Sequence, residues 1–253
     1  MLELYLSDIH YPYEDKEAMK VVFYLIKDIK PNLIHLGGDI LDFYTVSSFS
    51  KNPLRKTDWH KDKMYAIKQL EALRTAAPNA IIEYMPGNHE ARLGRYVLQN
   101  AEALYEEEGL TIPKLFKLED LEIVYKDSIY VKHGELLHIH GDEPKASGVY
   151  PAKTIYDKIG VSFIMGHFHK VQHYSHRMFG HDIHGAWANG CLCHMTPEYD
   201  KFPQWEQSVT IIQYTKSGLF NVDQVILVTD KKTKTRCCIY GGKMYTVKGV
   251  SKL

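Results

Sequence analysis

Five places along the chain carry side chains that bind divalent cations: Asp8 and His10, Asp39 and Asp42, Asn88 and His89, His140, and His167 and His169. Imidazole, carboxylate and amide oxygen together suit Mn²⁺, Fe, Zn²⁺ or Ni²⁺ rather than Ca²⁺. Each group follows an apolar run, and Gly38, Gly87, Gly141 and Gly166 stand beside most of them. Glycine lets the backbone turn sharply and lets bulky ligands approach closely. A single Asp-x-His or Gly-His-x-His occurs often by chance, and one histidine after a strand is usually a hydrogen-bonded structural residue. Five such groups at successive strand ends point to one shared site.

The elements that must position them are legible as hydrophobic patterns. Apolar runs at Leu2–Leu6, 33–36, 80–85 and 161–165 read as buried strands, and the candidate ligands follow directly. Residues 15–29 have helical apolar spacing and stop before Pro31; 63–76 and 91–107 also read as helices. Residues 121–125, 128–132 and 136–140 read as a run of antiparallel strands. So do 182–188, 209–214, 222–229, 235–240 and 243–247 as strands, with a Gly241-Gly242 hairpin turn. The first third thus alternates strand and helix, and the last third is strand-rich. The expected fold class is α/β, with two packed mixed β-sheets flanked by α-helices in four layers. One domain spanning 1–253 is expected, its strand-rich part covering about 182–253. In such sheets ligands bind outside the carboxyl ends of the strands, where the five groups fall.

In that order, Asp8-x-His10, Gly38-Asp39-x-x-Asp42, Gly87-Asn88-His89-Glu90, His140-Gly141 and Gly166-His167-x-His169 resemble the five signature motifs of the calcineurin-like metallophosphoesterase superfamily. The resemblance runs over residues 8–169 and implies a β-sandwich flanked by helices. It implies two divalent metal ions, Mn²⁺ foremost, with Fe, Zn²⁺ or Ni²⁺ as alternatives. One would be held by Asp8, His10, Asp39 and His169, the other by Asp39, Asn88, His140 and His167, with Asp39 bridging. A hydroxide between two cations would be the nucleophile. His89 would protonate the leaving oxygen and Asp42 would orient it. Phe168 departs from the small hydroxylated residue usual in the fifth motif. Two His-Gly pairs compete for the fourth. His133-Gly134 fits a hairpin turn, so His140 is preferred; His138, two residues away on the same strand face, reads as packing or support.

The resemblance implies a hydrolase of ester bonds, expected here to be a phosphodiesterase or nuclease acting on nucleotides or nucleic acid. The alternatives are a phosphomonoesterase and a catalytically silent metal-binding protein. After Asp39 the chain lacks the Asp-Arg-Gly continuation of Ser/Thr protein phosphatases. Arg92 can reach a phosphate or lie exposed on a helix. In 44–63, Arg55 and Lys56 are interleaved with aromatics, as in loops that contact phosphates and stack on bases, or as in a solvated loop with aromatic anchors. The basic stretch 231–252 has the same two readings. Residues 187–193, with Pro197, Glu198, Tyr199 and Trp205, resemble compact members of the superfamily carried by phages and mobile elements.

Composition narrows the setting. Lys and Arg number 31, Asp and Glu 31, so no global field draws the chain to nucleic acid or acidic lipid. No run approaches the roughly 20 apolar residues of a membrane helix, so no membrane partner is expected. The four cysteines, Cys191, Cys193, Cys237 and Cys238, do not form a secreted disulfide framework and read as buried thiols. With a strand starting at Leu2, no signal peptide is expected, and the expected setting is the cytoplasm of a bacterium or phage-infected cell.

Overall fold

The structure, a computed structural model, describes all residues except 50, 53, 54, 143–148, 178, 180–182 and 197–202. Pro197, Glu198 and Tyr199, and the first residue of the 182–188 strand, therefore lie outside the described residues.

Five strands lead into the candidate site, three of them neighbours in one sheet. β1 (Leu2–Leu6), β2 (Leu33–Gly37) and β3 (Ile81–Met85) run parallel, joined by α1 (Lys16–Ile29) and α2 (Trp59–Ala76). α1 begins where Asp15 caps the free N–H groups of Glu17 and Ala18. It ends at Lys30 in a left-handed conformation, one residue before Pro31. α2 starts at Trp59, four residues before the pattern suggested, because Asp58 supplies a cap to Lys61 N–H. The chain continues through α3 (Ala91–Asn100), α4 (Ile112–Leu115) and β4 (Ile123–Tyr125). The remaining elements are β5 (Tyr130–His133), β6 (Leu136–Ile139), α5 (Pro151–Ile159), β7 (Phe163–Met165), β8 (Gln172–Arg177), β9 (Ile183–Ala188), β10 (Gln207–Tyr214), β11 (Phe220–Thr229), β12 (Arg236–Tyr240), β13 (Lys243–Thr246) and β14 (Gly249–Lys252).

Among the described residues the strands form two mixed sheets. One has nine strands in the order β14-β13-β12-β11-β10-β1-β2-β3-β4, the other five in the order β5-β6-β7-β9-β8. Side chains alternate across β1: Leu4 and Leu6 join the core under the helices with Val21, Leu25 and Leu70, while Tyr5 faces Leu136, Ile164 and Ile212 between the sheets. α5 packs on the far side of the small sheet against Phe163, Met165 and Ala186. The layers are therefore helices, large sheet, small sheet and helix, the four-layer α/β arrangement expected from the sequence.

Three local expectations differ. The helix foreseen over 91–107 stops at Asn100, because Ala101 leaves helical geometry (φ −156°, ψ 54°) and two short 3₁₀ turns follow. The 121–125 strand is not part of an antiparallel run: β4 pairs parallel to β3, after a helical crossover long enough to return in the same direction. β8, which reads Gln-His-Tyr-Ser-His-Arg, and α5 carried too little apolar signal to stand out. The basic C-terminal hairpins lie over α1, where Lys243 pairs with Asp28 and Arg236 with Asp15.

Candidate metal centre

The site forms where five strand ends open toward one another. β1 delivers Asp8 and His10, β2 delivers Asp39, β3 delivers Asn88, β6 delivers His140 and β7 delivers His167 and His169. The backbone at these turns is bent out of strand geometry. Asp8, His10, Asp39, His167 and His169 have φ of 54, 56, 53, 68 and 56°. A non-glycine residue there costs roughly 1–3 kcal/mol and persists only where its surroundings enforce it. Two glycines make room: a Cβ on Gly87 would overlap Asp39 Oδ1, and one on Gly166 would overlap Asp8 Oδ2.

The enforcing contacts are specific. Asp8 accepts the backbone N–H of His167 on both oxygens, at 3.0 and 3.1 Å. Asp39 Oδ1 accepts from His89 N–H at 2.8 Å. Glu90, 2% exposed, accepts the backbone N–H groups of Asp39, Ile40, Leu41 and Gly87 and the Tyr84 hydroxyl. One buried carboxylate thus ties the β2 and β3 loops together. Sequence reasoning singled out His89 and passed over Glu90; its only signal was a carboxylate next to that motif. Behind Asp8, Asn189 binds Ser7, Ser208 and Thr210.

Toward the opening, ligand atoms crowd together. Asp39 Oδ2 lies 3.3 Å from His140 Nε2, 3.8 Å from His89 Nε2 and 4.0 Å from His10 Nε2. Asn88 Oδ1 lies 3.1 Å from His140 Nε2 and 2.9 Å from His167 Nδ1. His169 Nε2 is 3.3 Å from Asp8 Oδ1 and 3.4 Å from His10 Nε2. His140 Nδ1 is 3.0 Å from the Gly37 carbonyl oxygen, which can accept its hydrogen and leave Nε2 facing the carboxylate. His133 lies elsewhere, between the sheets against Glu3 and Glu83.

Charge follows this crowding. Burial opposes ionisation of Asp39, but His140 and His89 outweigh it and hold the carboxyl well below the usual range. Burial likewise opposes charge on His140, and Asp39 pulls it well above the ordinary value. His169 is drawn up to about 8 by Asp8 against the same desolvation. His10 is pushed down by burial and then by His89. The buried carboxylates thus favour positive charge beside them, which divalent cations can supply once the rings are deprotonated. The donor set fits a metal ion: Asp39, His140 and His167 each offer an atom within 4.8 Å of the others, as do His10, His169 and Cys193. Cys193 was read as a buried thiol; it is buried and free, with its sulfur beside these two rings.

The remaining candidates divide. Arg92 is half-buried and lies at the centre, donating to the Asp42 carbonyl at 3.0 Å and reaching His89 Nε2 at 2.8 Å. Arg55 stacks over Tyr13 at 3.7 Å and Tyr44 at 4.4 Å. Lys56 is exposed. Asp42 lies 3.5 Å from His89 Nδ1 and 3.3 Å from His10 Nδ1, and it is held low, against burial, by both rings. For His89, burial is outweighed by Asp39 and Asp42, which raise its affinity for a proton. A guanidinium can only donate, so the Arg92 contact opposes that pull and favours the tautomer with its hydrogen on Nδ1, 3.0 Å from the Asp42 carbonyl oxygen.

No family model matches the chain, and no curated protein matches it. Solved structures do. Chaetomium thermophilum Vps29 matches with 11% identity and a TM-score of 0.49, covering 97% of this chain and 95% of that one. Entamoeba histolytica Vps29 complexed with Zn²⁺ matches with 12% identity and a TM-score of 0.47, over 100% and 98%. TT1561 of Thermus thermophilus matches with 12% identity and a TM-score of 0.34, over 88% and 98%.

The expectation of a hydrolase, whether phosphodiesterase, nuclease or phosphomonoesterase, is corrected on these findings. Two of the three solved structures named above are Vps29 proteins. Arg92 lies 2.8 Å from Nε2 of His89, the residue expected to deliver a proton.

Proposed function

We propose that this chain is a catalytically silent divalent-metal-binding protein. Its two ions sit at the strand ends, one on Asp8, His10, Asp39 and His169, the other on Asp39, Asn88, His140 and His167. Mn²⁺ and Zn²⁺ are the first ions to test. The observation that carries this reading is Asp39 Oδ2, buried and facing imidazoles from the β1, β3 and β6 loops at 3.3–4.0 Å. A carboxylate shared by two cations needs this placement, since each oxygen must be reached from both sides. Silence is supported by the Arg92–His89 contact at 2.8 Å, in which the guanidinium competes with a leaving oxygen for His89 Nε2. A phosphate-bearing partner, nucleotide or nucleic acid, would then be held without cleavage, by Arg92 and by Arg55 over Tyr13. The cytoplasmic setting and the phage-type kinship of 187–205 belong to this proposal as expectations. Among the described residues no helix is long and apolar enough to cross a membrane.

The test is metal content together with turnover. After loading with Mn²⁺ or Zn²⁺ and gel filtration, two equivalents should stay with the chain, and Asp39→Asn should lose both. Aryl phosphate mono- and diesters should be hydrolysed no faster than by Asp39→Asn. Turnover above that background overturns silence, and a chain that retains no metal overturns the binding reading.

A further inference from the structure

Between the sheets lies a second set of ligand side chains, separate from the strand-end centre. Glu3 on β1, His35 on β2 and Glu83 on β3 point from the large sheet; His133 on β5 and His138 on β6 meet them from the small one. The register produces the convergence. Tyr5 pairs with His35 and His35 with Glu83 across three parallel strands, so their inward side chains form one row. Inward positions of packed sheets normally hold apolar residues. Here Glu3, His35 and His138 are each 0% exposed.

The contacts are close. His138 Nε2 lies 2.7 Å from Glu3 Oε1, and His133 Nδ1 lies 3.1 Å from Glu3 Oε2. The other nitrogen of His133, Nε2, lies 2.9 Å from Glu83 Oε2, and His35 Nδ1 is 3.6 Å from that oxygen. One atom each of Glu3, His133 and His138 fall within 4.8 Å of one another. Tetrahedral zinc ligands, with bonds of about 2.0–2.2 Å, stand roughly 3.3–3.5 Å apart. Closing the set needs only side-chain adjustment.

Lys126, 3.1 Å from Glu83, balances that carboxylate, so without a cation one proton on the rings must balance Glu3. The three ring centres are 4.5 to 5.4 Å apart. Three buried nitrogens, both of His35 and Nδ1 of His138, have no hydrogen-bond partner. A cation in place of the ring proton would hold Glu3 directly and needs the rings neutral.

We propose that Glu3, His133 and His138 bind a zinc-class divalent cation that staples the two sheets together, with Glu83 accepting from the far nitrogen of His133. Two imidazoles and a carboxylate are a donor set that zinc takes, and the carboxylate behind a histidine ligand fixes its tautomer and orientation. His35, its ring 4.6 Å from that of His138, stands where a further donor is available. Because Glu3 and His138 are fully buried, the ion enters as the chain folds.

The test uses the full chain carrying Asp39→Asn, so that the strand-end centre does not contribute. Refolded with Zn²⁺ and passed over chelating resin, it should retain one zinc per chain. Adding Glu3→Gln should bring this to none, and Glu83→Gln should weaken retention roughly 10–100-fold. A refolded Asp39→Asn chain without zinc overturns the proposal, as does zinc that survives Glu3→Gln. If Glu3→Gln does not fold, Co²⁺ in the Asp39→Asn chain decides. Visible bands of four-coordinate cobalt without a thiolate charge-transfer band support the staple. A thiolate band, which places the ion at Cys193, or no bound cobalt, overturns it.

Discussion

Two clusters of histidine and carboxylate occupy the same inter-sheet layer, and they are built in opposite ways. The strand-end centre sits on loops, with five residues at positive φ and glycines where any side chain would collide. The inner cluster sits on strands, in regular backbone, and arises from register alone. The first opens at the strand ends; the second lies between the sheets, with Glu3, His35 and His138 fully buried and His133 and Glu83 at its edge. Backbone strain is kept where a ligand must be reached from outside, and it is absent where the same residue types only join two sheets. His138 and His140, two residues apart on one strand, belong one to each.

The strongest way to separate the two is to remove the tie that serves only one. Glu90 accepts four backbone N–H groups and a tyrosine hydroxyl, all from the loops of the strand-end centre. Glu90→Ala leaves these donors buried and unpaired, at a cost of at least about 3 kcal/mol. Urea unfolding should show that loss, and metal titration should show the strand-end ions gone. Loss of the inner cation as well would mean the clusters are one cooperative unit.

Next in size is metal removal. An ion bound to the folded chain alone adds about 2.7 kcal/mol at a hundredfold excess over its dissociation constant. Mn²⁺ should therefore raise the melting temperature of the wild-type chain. It should leave Asp39→Asn unmoved, since that carboxylate faces rings from three loops. An equal rise in both chains would place the stabilising ion outside the strand-end centre.

The two clusters also differ in how visible they are in the sequence. The strand-end candidates follow apolar runs one by one, so local pattern places each at the end of a strand, and the two-sheet architecture follows from alternation of strand and helix. The inner cluster has no such local mark. Glu3 is a single acidic residue in Leu-Glu-Leu-Tyr-Leu, and its partners are 130 and 135 residues away. Pairing between sheets is a long-range property that periodicity does not encode. β4 shows the same limit, since a three-residue strand does not announce which sheet it joins. Glu90 was hidden for another reason: apart from the Tyr84 hydroxyl its partners are backbone groups, which leave no residue type to read.

Gly87 gives a smaller effect confined to the strand-end centre. Its Cβ would overlap Asp39 Oδ1 and come within 2.8 Å of His140 Cε1. Gly87→Ala should cost about 1–3 kcal/mol through overpacking and weaken metal binding at the strand ends, read by titration. Unchanged metal affinity would show that the loops adjust independently of the ligands.

The smallest effect comes from a tie outside both clusters. Asp15 receives Gln207 Nε2 at 3.1 Å and Arg236 Nε at 3.0 Å, while its backbone N–H reaches the Leu192 carbonyl beside Cys193. Burial raises its carboxyl, but the Ala18 N–H, Gln207 and Arg236 outweigh that and hold it below the ordinary value. A carboxyl whose folded pKa is depressed stabilises the chain above its unfolded value near 4, and the contribution fades as pH falls through the folded one. Asp15→Asn keeps a capping side chain but loses the charge, so it should cost under about 1 kcal/mol at neutral pH. In chelator, the difference in melting temperature between wild type and variant should shrink from pH 6 toward pH 3. A difference that stays constant would mean that the bond to Gln207 or the packing of the 191–193 loop matters, and the charge does not.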